Sequence, residues 1–334
     1  MASPVLRRLS VVLLQGGVIL LITLGLLEGL VGFSFRFPGL SPLPRGVLRQ
    51  MHVLFDRNTI QVMPACATFH ATLTYTLRPG SCTFANREFS NTFTINSLGV
   101  RDDEASLAQP RIVVLGDSIA MGWGVDQDAA FPSVIERLTG RLTLNAGVSS
   151  YGTVRELRML ERIDRQAVTD VILQYSSNDL VENEQLASGR FKTLSREEYE
   201  RTVQAQSDML RYHPGKHTLN LLVMMRNLAR ARQAADTAPS RDREARVFLG
   251  VLAQSPVDLT PYSVIVLSLE PGFVDAVRPL AAASPMAVIR QLRFLEMTSI
   301  ESIPGAYYVL DDHPTGIGHA AIGRALAAAI GPRS

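Results

Sequence analysis

The sequence predicts an α/β chain: a three-layer α/β/α domain around a central parallel sheet, preceded by one N-terminal transmembrane helix and carrying a helical insertion. Three observations predict it. Residues 11–31, VVLLQGGVILLITLGLLEGLV, are nearly all apolar, and about 20 such residues span a bilayer as a helix. From residue 111 onward, apolar runs that end in Gly or polar residues alternate with amphipathic stretches, the pattern of βαβ units whose strands are buried on both faces. Between 182 and 260 that rhythm gives way to polar, charged, helix-prone sequence.

The elements follow in order. Arg7 and Arg8 precede the apolar run, as in a signal sequence or signal anchor. No small-x-small cleavage site precedes Phe33, Phe35 and Phe37, so residues 1–35 read as an uncleaved anchor. Arg36, Arg45 and Arg49 follow the run closely, and the positive-inside count does not fix its orientation. Glu28 lies within the run, where a carboxylate is costly. Gly25 and Gly29 have the small-xxx-small spacing that permits close helix packing. Either these residues serve a membrane partner, or Glu28 sits at the interface and the glycines are incidental.

Residues 36–107 form the second segment. Pro38, Pro42 and Pro44 make 36–60 read as an extended linker, and 61–100 as a small β-rich segment. Alternation from Thr72 to Leu77, a Pro79-Gly80 turn, and turn signals at Asn96 and Gly99 support the second reading. The two cysteines, Cys66 and Cys82, flank this stretch and are a candidate disulfide. Such a bond fits an oxidising compartment. With the anchor, it places the main domain on the extracytoplasmic (periplasmic) side of the inner, cytoplasmic membrane.

Residues 108–334 form the main domain. RIVVLGDS ends a first strand, followed by a helix over 128–139 closed by Gly140. LTLNAGVS gives a second strand, TVRELRMLERI a helix, and DVILQYSSND a third strand. The insertion at 182–260 carries a hydrophobic helix near 218–229 and reads either as a lid or partner surface, or as decoration. Strands resume at YSVIVLSLE, 262–270, and end at AYYVL, 306–310, before an Ala-rich helix over 316–330. Hydrophobic residues make up 46% and charged residues 19%, which excludes a disordered chain. A net charge of +2 argues against nucleic acid as a ligand.

In an open α/β sheet, ligands bind outside the carboxyl ends of the strands. The polar residues expected there are Gly116, Asp117 and Ser118; Asn145 and Gly147; Ser177, Asn178 and Asp179; and Asp311, Asp312 and His313. A Ser hydroxyl becomes a nucleophile when a base takes its proton, and His313 titrates in the range that work needs. An acid must then fix the imidazole tautomer. Asp311 is favoured over Asp312, because residues two apart in an extended segment share a side. Ser118 N–H, Gly147 N–H and the Asn178 amide are the candidate oxyanion donors. Singly, each piece also reads as a turn or cap; together, in this order, they point to acyl transfer.

These blocks resemble the SGNH, or GDSL-type, hydrolases, and in particular membrane-anchored bacterial members. The resemblance rests on GDSIAMGWG, NAGVSSYG, SSND and DDHPTGIGH, over roughly residues 108–331 apart from the insertion. It implies a flavodoxin-like three-layer fold, Ser118 as nucleophile, Gly147 and Asn178 in the oxyanion hole, and His313 as base. The family's last block often has Asp three residues before His; here that position is Leu310 and the Asp lies two before. Ile119 replaces the Leu of the family name. NSLGVRDDE also resembles the lead-in of anchored relatives, some of which work beside membrane acyltransferases.

The expectation is a serine esterase acting on acylated glycans, lipids or small esters. Two alternatives stand beside it: an O-acyltransferase that passes the acyl group to a cell-envelope polysaccharide with the same residues, and a non-catalytic membrane accessory subunit. Expected partners are the acyl ester, the membrane through the N-terminal helix, and a membrane acyltransferase; no nucleic acid, cofactor or metal is expected. His313 and His319 read as one loop and one helix residue, not as paired metal ligands.

Overall fold

The structure is a computed structural model and describes residues 4–233 and 240–331. Residues 234–239, within the expected insertion, lie outside the described part. In chain order the elements are α1 (Pro4–Arg36), α2 (Arg45–Phe55), β1 (Ala67–His70), β2 (Thr74–Leu77), β3 (Gly80–Ala85) and β4 (Ser90–Ile95). Then come β5 (Ile112–Leu115), α3 (Ser118–Met121), α4 (Phe131–Thr139), β6 (Thr143–Asn145), α5 (Thr153–Glu161) and β7 (Asp170–Tyr175). The insertion holds α6 (Asp179–Ala187), α7 (Arg196–Leu210), α8 (Lys216–Gln233) and α9 (Arg241–Ala253). The chain ends with β8 (Ser263–Ser268), α10 (Phe273–Ala282), α11 (Ala287–Arg290), β9 (Arg293–Glu296) and α12 (Gly316–Ile330).

The chain divides into two compact units. The larger comprises Asn58–Gln206, Pro239–Tyr308 and Asp312–Ser334. Its centre is a five-stranded sheet in the order β6-β5-β7-β8-β9, parallel throughout. Every residue of β5, β6 and β7 is buried, which is why these strands read as unbroken apolar runs. One core layer joins Val113, Leu115, Val171 and Leu173 of the sheet to Leu157 and Leu160 of α5 and Phe248 of α9. The opposite layer joins Ile112, Val114, Ile172 and Ile265 to Phe131 and Ile135 of α4 and Ile322 of α12. Pro132 in the first turn of α4 and Gly140 after it, at φ +65°, give that helix the start and stop that its sequence signals.

The final strand is not where the sequence places it. AYYVL, 306–310, is a loop whose Tyr307 makes an isolated bridge to Pro314. The edge of the sheet is β9, RFLE, which is exposed at Arg293 and half-buried beyond it. An edge strand pairs on one side only, so it needs no apolar run and leaves little signal in sequence.

The β-rich segment consists of two antiparallel hairpins, β1 with β2 and β3 with β4. Cys66, just ahead of β1, and Cys82 in β3 are disulfide-bonded, with their Cα atoms 5.3 Å apart. Around them Ile60, Leu77, Phe84, Phe93 and Ile95 share a core with Met121 at the end of α3 and Trp123 just after it.

The smaller unit comprises Met1–Arg57, Ser207–Ala238 and Val309–Asp311. Val31 and Phe35 of α1, Leu48 and Met51 of α2, Met224 of α8 and Leu310 form its core. The 36–60 stretch is therefore not a plain extended linker. Its prolines precede α2, with Pro44 at the N-cap, and Leu48, Met51 and His52 bury one face of the helix at i, i+3 and i+4 spacing. Glu28 has a structural employment. Its carboxylate accepts from the backbone N–H of Thr218 at 2.8 Å and of His217 at 3.2 Å, and from the Thr218 hydroxyl at 2.9 Å. It thus satisfies open donors at the N-terminus of α8. The hydrophobic helix of the insertion, α8, packs on α1.

A disulfide that closes a loop of about 15 residues stabilises by about 3 kcal/mol, through the chain entropy of the unfolded state. The double variant C66S/C82S is expected to lose about 2–4 kcal/mol in urea unfolding of the full-length protein; wild type in strong reductant should behave alike.

Candidate active site

The site grows from the turn between β5 and α3. Gly116 adopts φ +151°, and a Cβ there would lie 2.6 Å from Ala120 Cβ and from the Gln174 side-chain oxygen. Only glycine fits. Asp117 caps α3, its Oδ1 accepting from Ile119 N–H at 2.8 Å. Gln174, buried in the middle of β7, accepts from the N–H groups of Asp117 and Ala120, both at 3.2 Å. This amide in an otherwise apolar strand fastens the turn to the sheet and presents the half-buried Ser118 at the rim.

His313 meets it from the loop that follows β9. Its Nε2 lies 2.7 Å from Ser118 Oγ, within reach for proton transfer. The imidazole stacks on the Trp123 indole, with centroids 4.6 Å apart and planes 15° apart, which fixes the ring plane. The His313 carbonyl accepts from Tyr308 N–H at 3.2 Å, and the Tyr308 hydroxyl donates 2.5 Å to the Gly124 carbonyl. The loop that sequence reads as a strand is therefore the clamp that holds His313.

The carboxylate at His313 Nδ1 is Asp312, 3.2 Å away and half exposed. Asp311, the acid favoured by spacing, is buried in the smaller unit, where its oxygens lie 3.9 Å from His52 Nε2 and 3.6 Å from Arg57. Residues two apart share a side only in an extended segment, and 309–313 is a bent loop. Beside these acids the His52 pKa is raised: burial opposes the charge, but hydrogen bonds to Asp311 and Asp56 outweigh it.

Of the candidate oxyanion donors, Gly147 is the most constrained. A Cβ there would sit 2.5 Å from Met121 N and 2.7 Å from Ala120 C, against the backbone of the nucleophile helix. Its N–H donates to Asn145 Oδ1 at 3.1 Å, and an oxyanion would have to replace that acceptor. Ser118 N–H lies at the first turn of α3. Asn178 is exposed at the N-cap of α6.

Sequence reasoning passed over the residues that hold this rim together. Arg101 is fully buried, and its guanidinium donates to the carbonyls of Met121 (3.2 Å), Gly122 and Val125 (2.6 Å) while lying 3.6 Å over the Phe93 ring. Burial lowers its pKa to about 9. Its neighbour Asp102 accepts from Asn145 N–H at 2.8 Å, and burial raises its pKa to about 7. The Arg-Asp pair of NSLGVRDDE thus grips both the loop after Ser118 and the strand end before Gly147. Consecutive charges in a lead-in read as surface; a tertiary contact buries them.

Behind Asp117 lies a set of buried acids. Asp179 accepts from the Thr153 hydroxyl at 3.1 Å, while neither carboxylate oxygen of Glu156 has a partner. The Glu156 pKa is raised well above its ordinary value, first by burial and then by Asp179, Asp117 and Glu182; those of Asp179 and Asp117 rise for the same first reason. The described residues of ligand type that come together are Asp311, Asp312 and His313; the ring nitrogens of His313 face Ser118 and Asp312.

Two outcomes are expected. G147A, which forces the nucleophile helix to shift, should lower kcat by about 100-fold or more, the scale of losing one oxyanion donor, with near-native circular dichroism. Because folded Glu156 holds its proton above pH 4.5, where the unfolded chain releases it, its contribution to stability declines as pH rises from there. E156Q should therefore flatten the fall of Tm from pH 5 to 9, an effect absent at the acid end.

No curated protein matches this chain. Among solved structures, a G-D-S-L family lipolytic protein from Desulfitobacterium hafniense DCB-2 aligns at 11% identity and a TM-score of 0.36, over 65% of this chain and 97% of that one. A carbohydrate esterase, described as having divergent catalytic and non-catalytic binding functions, aligns at 12% identity and a TM-score of 0.38, over 66% of this chain and 64% of that one. The sequence family of GDSL-like lipases and acylhydrolases matches residues 114–321, more than half of the chain, from the end of β5 into α12. The protein is therefore a member of the GDSL-like lipase/acylhydrolase family, hydrolases that act on ester bonds.

Proposed function

We propose that this protein is a membrane-anchored serine esterase that works outside the cytoplasmic membrane on acyl esters of glycans, lipids or small alcohols. The observation that carries the reading is the 2.7 Å contact between Ser118 Oγ and His313 Nε2, with the imidazole stacked on Trp123 and its far nitrogen on Asp312.

In this reading His313 takes the Ser118 proton as Oγ attacks the ester carbonyl. The tetrahedral oxyanion draws on Ser118 N–H, on Gly147 N–H once released from Asn145, and on the Asn178 amide. The protonated imidazole returns the proton to the departing alkoxide, which leaves as alcohol. Water, deprotonated by His313, then attacks the acyl-serine, and the imidazolium returns that proton to Ser118 Oγ as the carboxylic acid leaves. Asp312 holds the Nδ1 proton and balances the imidazolium between these steps. The bonded pair Cys66–Cys82 supports an oxidising compartment for the larger unit. The apolar length of α1, Val11–Arg36, near the N-terminus and largely exposed, supports an anchor.

Hydrolysis and acyl transfer differ only in what attacks the acyl-enzyme. The full-length protein is expected to release acetate from an acetyl ester, and S118A to lose both this activity and fluorophosphonate labelling. Acetyl transfer to an added glycan that outpaces acetate release would replace esterase with acyltransferase. D312N is expected to lower kcat by about 10-fold or more at unchanged Tm, whereas D311N, which disturbs the His52 and Arg57 contacts, should lower Tm. The reverse pattern would move the orienting role to Asp311.

A further inference from the structure

The helix α8 presents a feature that the catalytic reading does not use. Leu219, Leu222, Met225 and Leu228 are 54, 55, 58 and 37% exposed. Spaced three apart, they form one stripe winding along the helix. On the other side Met224 is buried and Leu221 half-buried in the core shared with α1 and α2. Between 219 and 228 the polar residues are Asn220 and Asn227, seven apart on one side, and Arg226 on another. An apolar stripe left outside the core belongs against a partner or in lipid, and the core supplied by α1 and α2 covers another part of α8.

The position of α8 selects lipid. Its first turn is tied to the anchor helix by Glu28, and the His217 ring lies 5.5 Å from Phe35 and 3.7 Å from where a Gly32 Cβ would stand. These contacts fall at the carboxyl end of α1, after some 20 apolar residues. There Phe33 and Phe37 are 44 and 45% exposed, the placement of an aromatic belt at a membrane interface. Arg226, exposed and set among the stripe residues on the same face, forbids deep insertion but suits a headgroup, with its stem lying along apolar surface.

We propose that α8 is an interfacial helix whose outer stripe lies in the headgroup–acyl boundary of the bilayer that α1 crosses, so that the protein holds the membrane at two places. This rests on the anchor reading of α1, and the test separates the two. Buried apolar area at the boundary strengthens attachment and makes it sensitive to lipid composition, as for other amphipathic interfacial helices. The insertion is then an attachment device rather than a lid.

The test is depth-dependent quenching. The full-length protein carries one added cysteine, L222C, M225C or L20C, labelled with bimane without reductant so that the Cys66–Cys82 bond is kept. Each is reconstituted in phosphatidylcholine/phosphatidylglycerol vesicles with nitroxide lipids labelled near the headgroup or deep in the chain. Bimane at 222 and at 225 should lose most of its fluorescence to the shallow nitroxide and little to the deep one; bimane at 20 should be quenched by the deep one. Quenching at 20 without quenching at 222 and 225 overturns the interfacial helix and leaves the anchor intact, whether a second copy or another protein covers the stripe. Loss of quenching at all three overturns the anchor as well. Both stripe positions are exposed, and fluorophosphonate labelling checks the fold of each variant.

Discussion

The short turn from Gly116 to Ser118 is the constraint around which the rest of the larger unit is arranged. It must leave a fully buried strand, reverse into a helix of one turn, and expose a hydroxyl, all within three residues. The backbone cannot do this unsupported, because a buried N–H or C=O without a partner costs about as much as a lost hydrogen bond. Gln174 answers two of the donors from the next strand, and Asp117 answers a third from within the turn. Arg101 answers the carbonyls at the far end of the helix from a segment that precedes the sheet altogether. The β-rich segment therefore contributes directly to the site: its core includes Trp123, the ring on which His313 rests.

The same close packing explains why glycine stands at 147. The second strand end approaches the nucleophile helix so tightly that no side chain fits between the two backbones. That approach is set by Asp102, which fixes Asn145, and by Asn145, which in turn fixes Gly147. A chain of single hydrogen bonds thus runs from the lead-in sequence to the donor expected to meet substrate. Such chains are rigid when every member is satisfied. The cost of the arrangement appears nearby, where Glu156 is buried without a partner and holds its proton.

The smaller unit follows a different logic. Its core is small, built from the end of α1, one amphipathic helix and part of the insertion. Glu28, which reads from sequence as a costly charge in an apolar run, caps the incoming helix. The charge is held because open helix N–H groups answer it.

Local pattern specifies the order of elements wherever burial is two-sided or helical period is clear: the apolar run of α1, the strands β5 to β8, and α4, α5 and α12. Ser118 and Asn178 are legible as polar residues that follow apolar strands, and His313 as one that precedes a capped helix. The same pattern misplaced the last strand, since an edge strand carries little apolar pattern, and it missed α2, since prolines before a helix look like those of a linker. Tertiary structure alone decided which acid faces His313, because a loop's bend is set by what it packs on and not by residue spacing. It alone buried Arg101 and half-buried Asp102, whose partners lie 20 to 43 positions away in the chain. Local pattern records how a segment meets water; it does not record which distant backbone groups a side chain must satisfy.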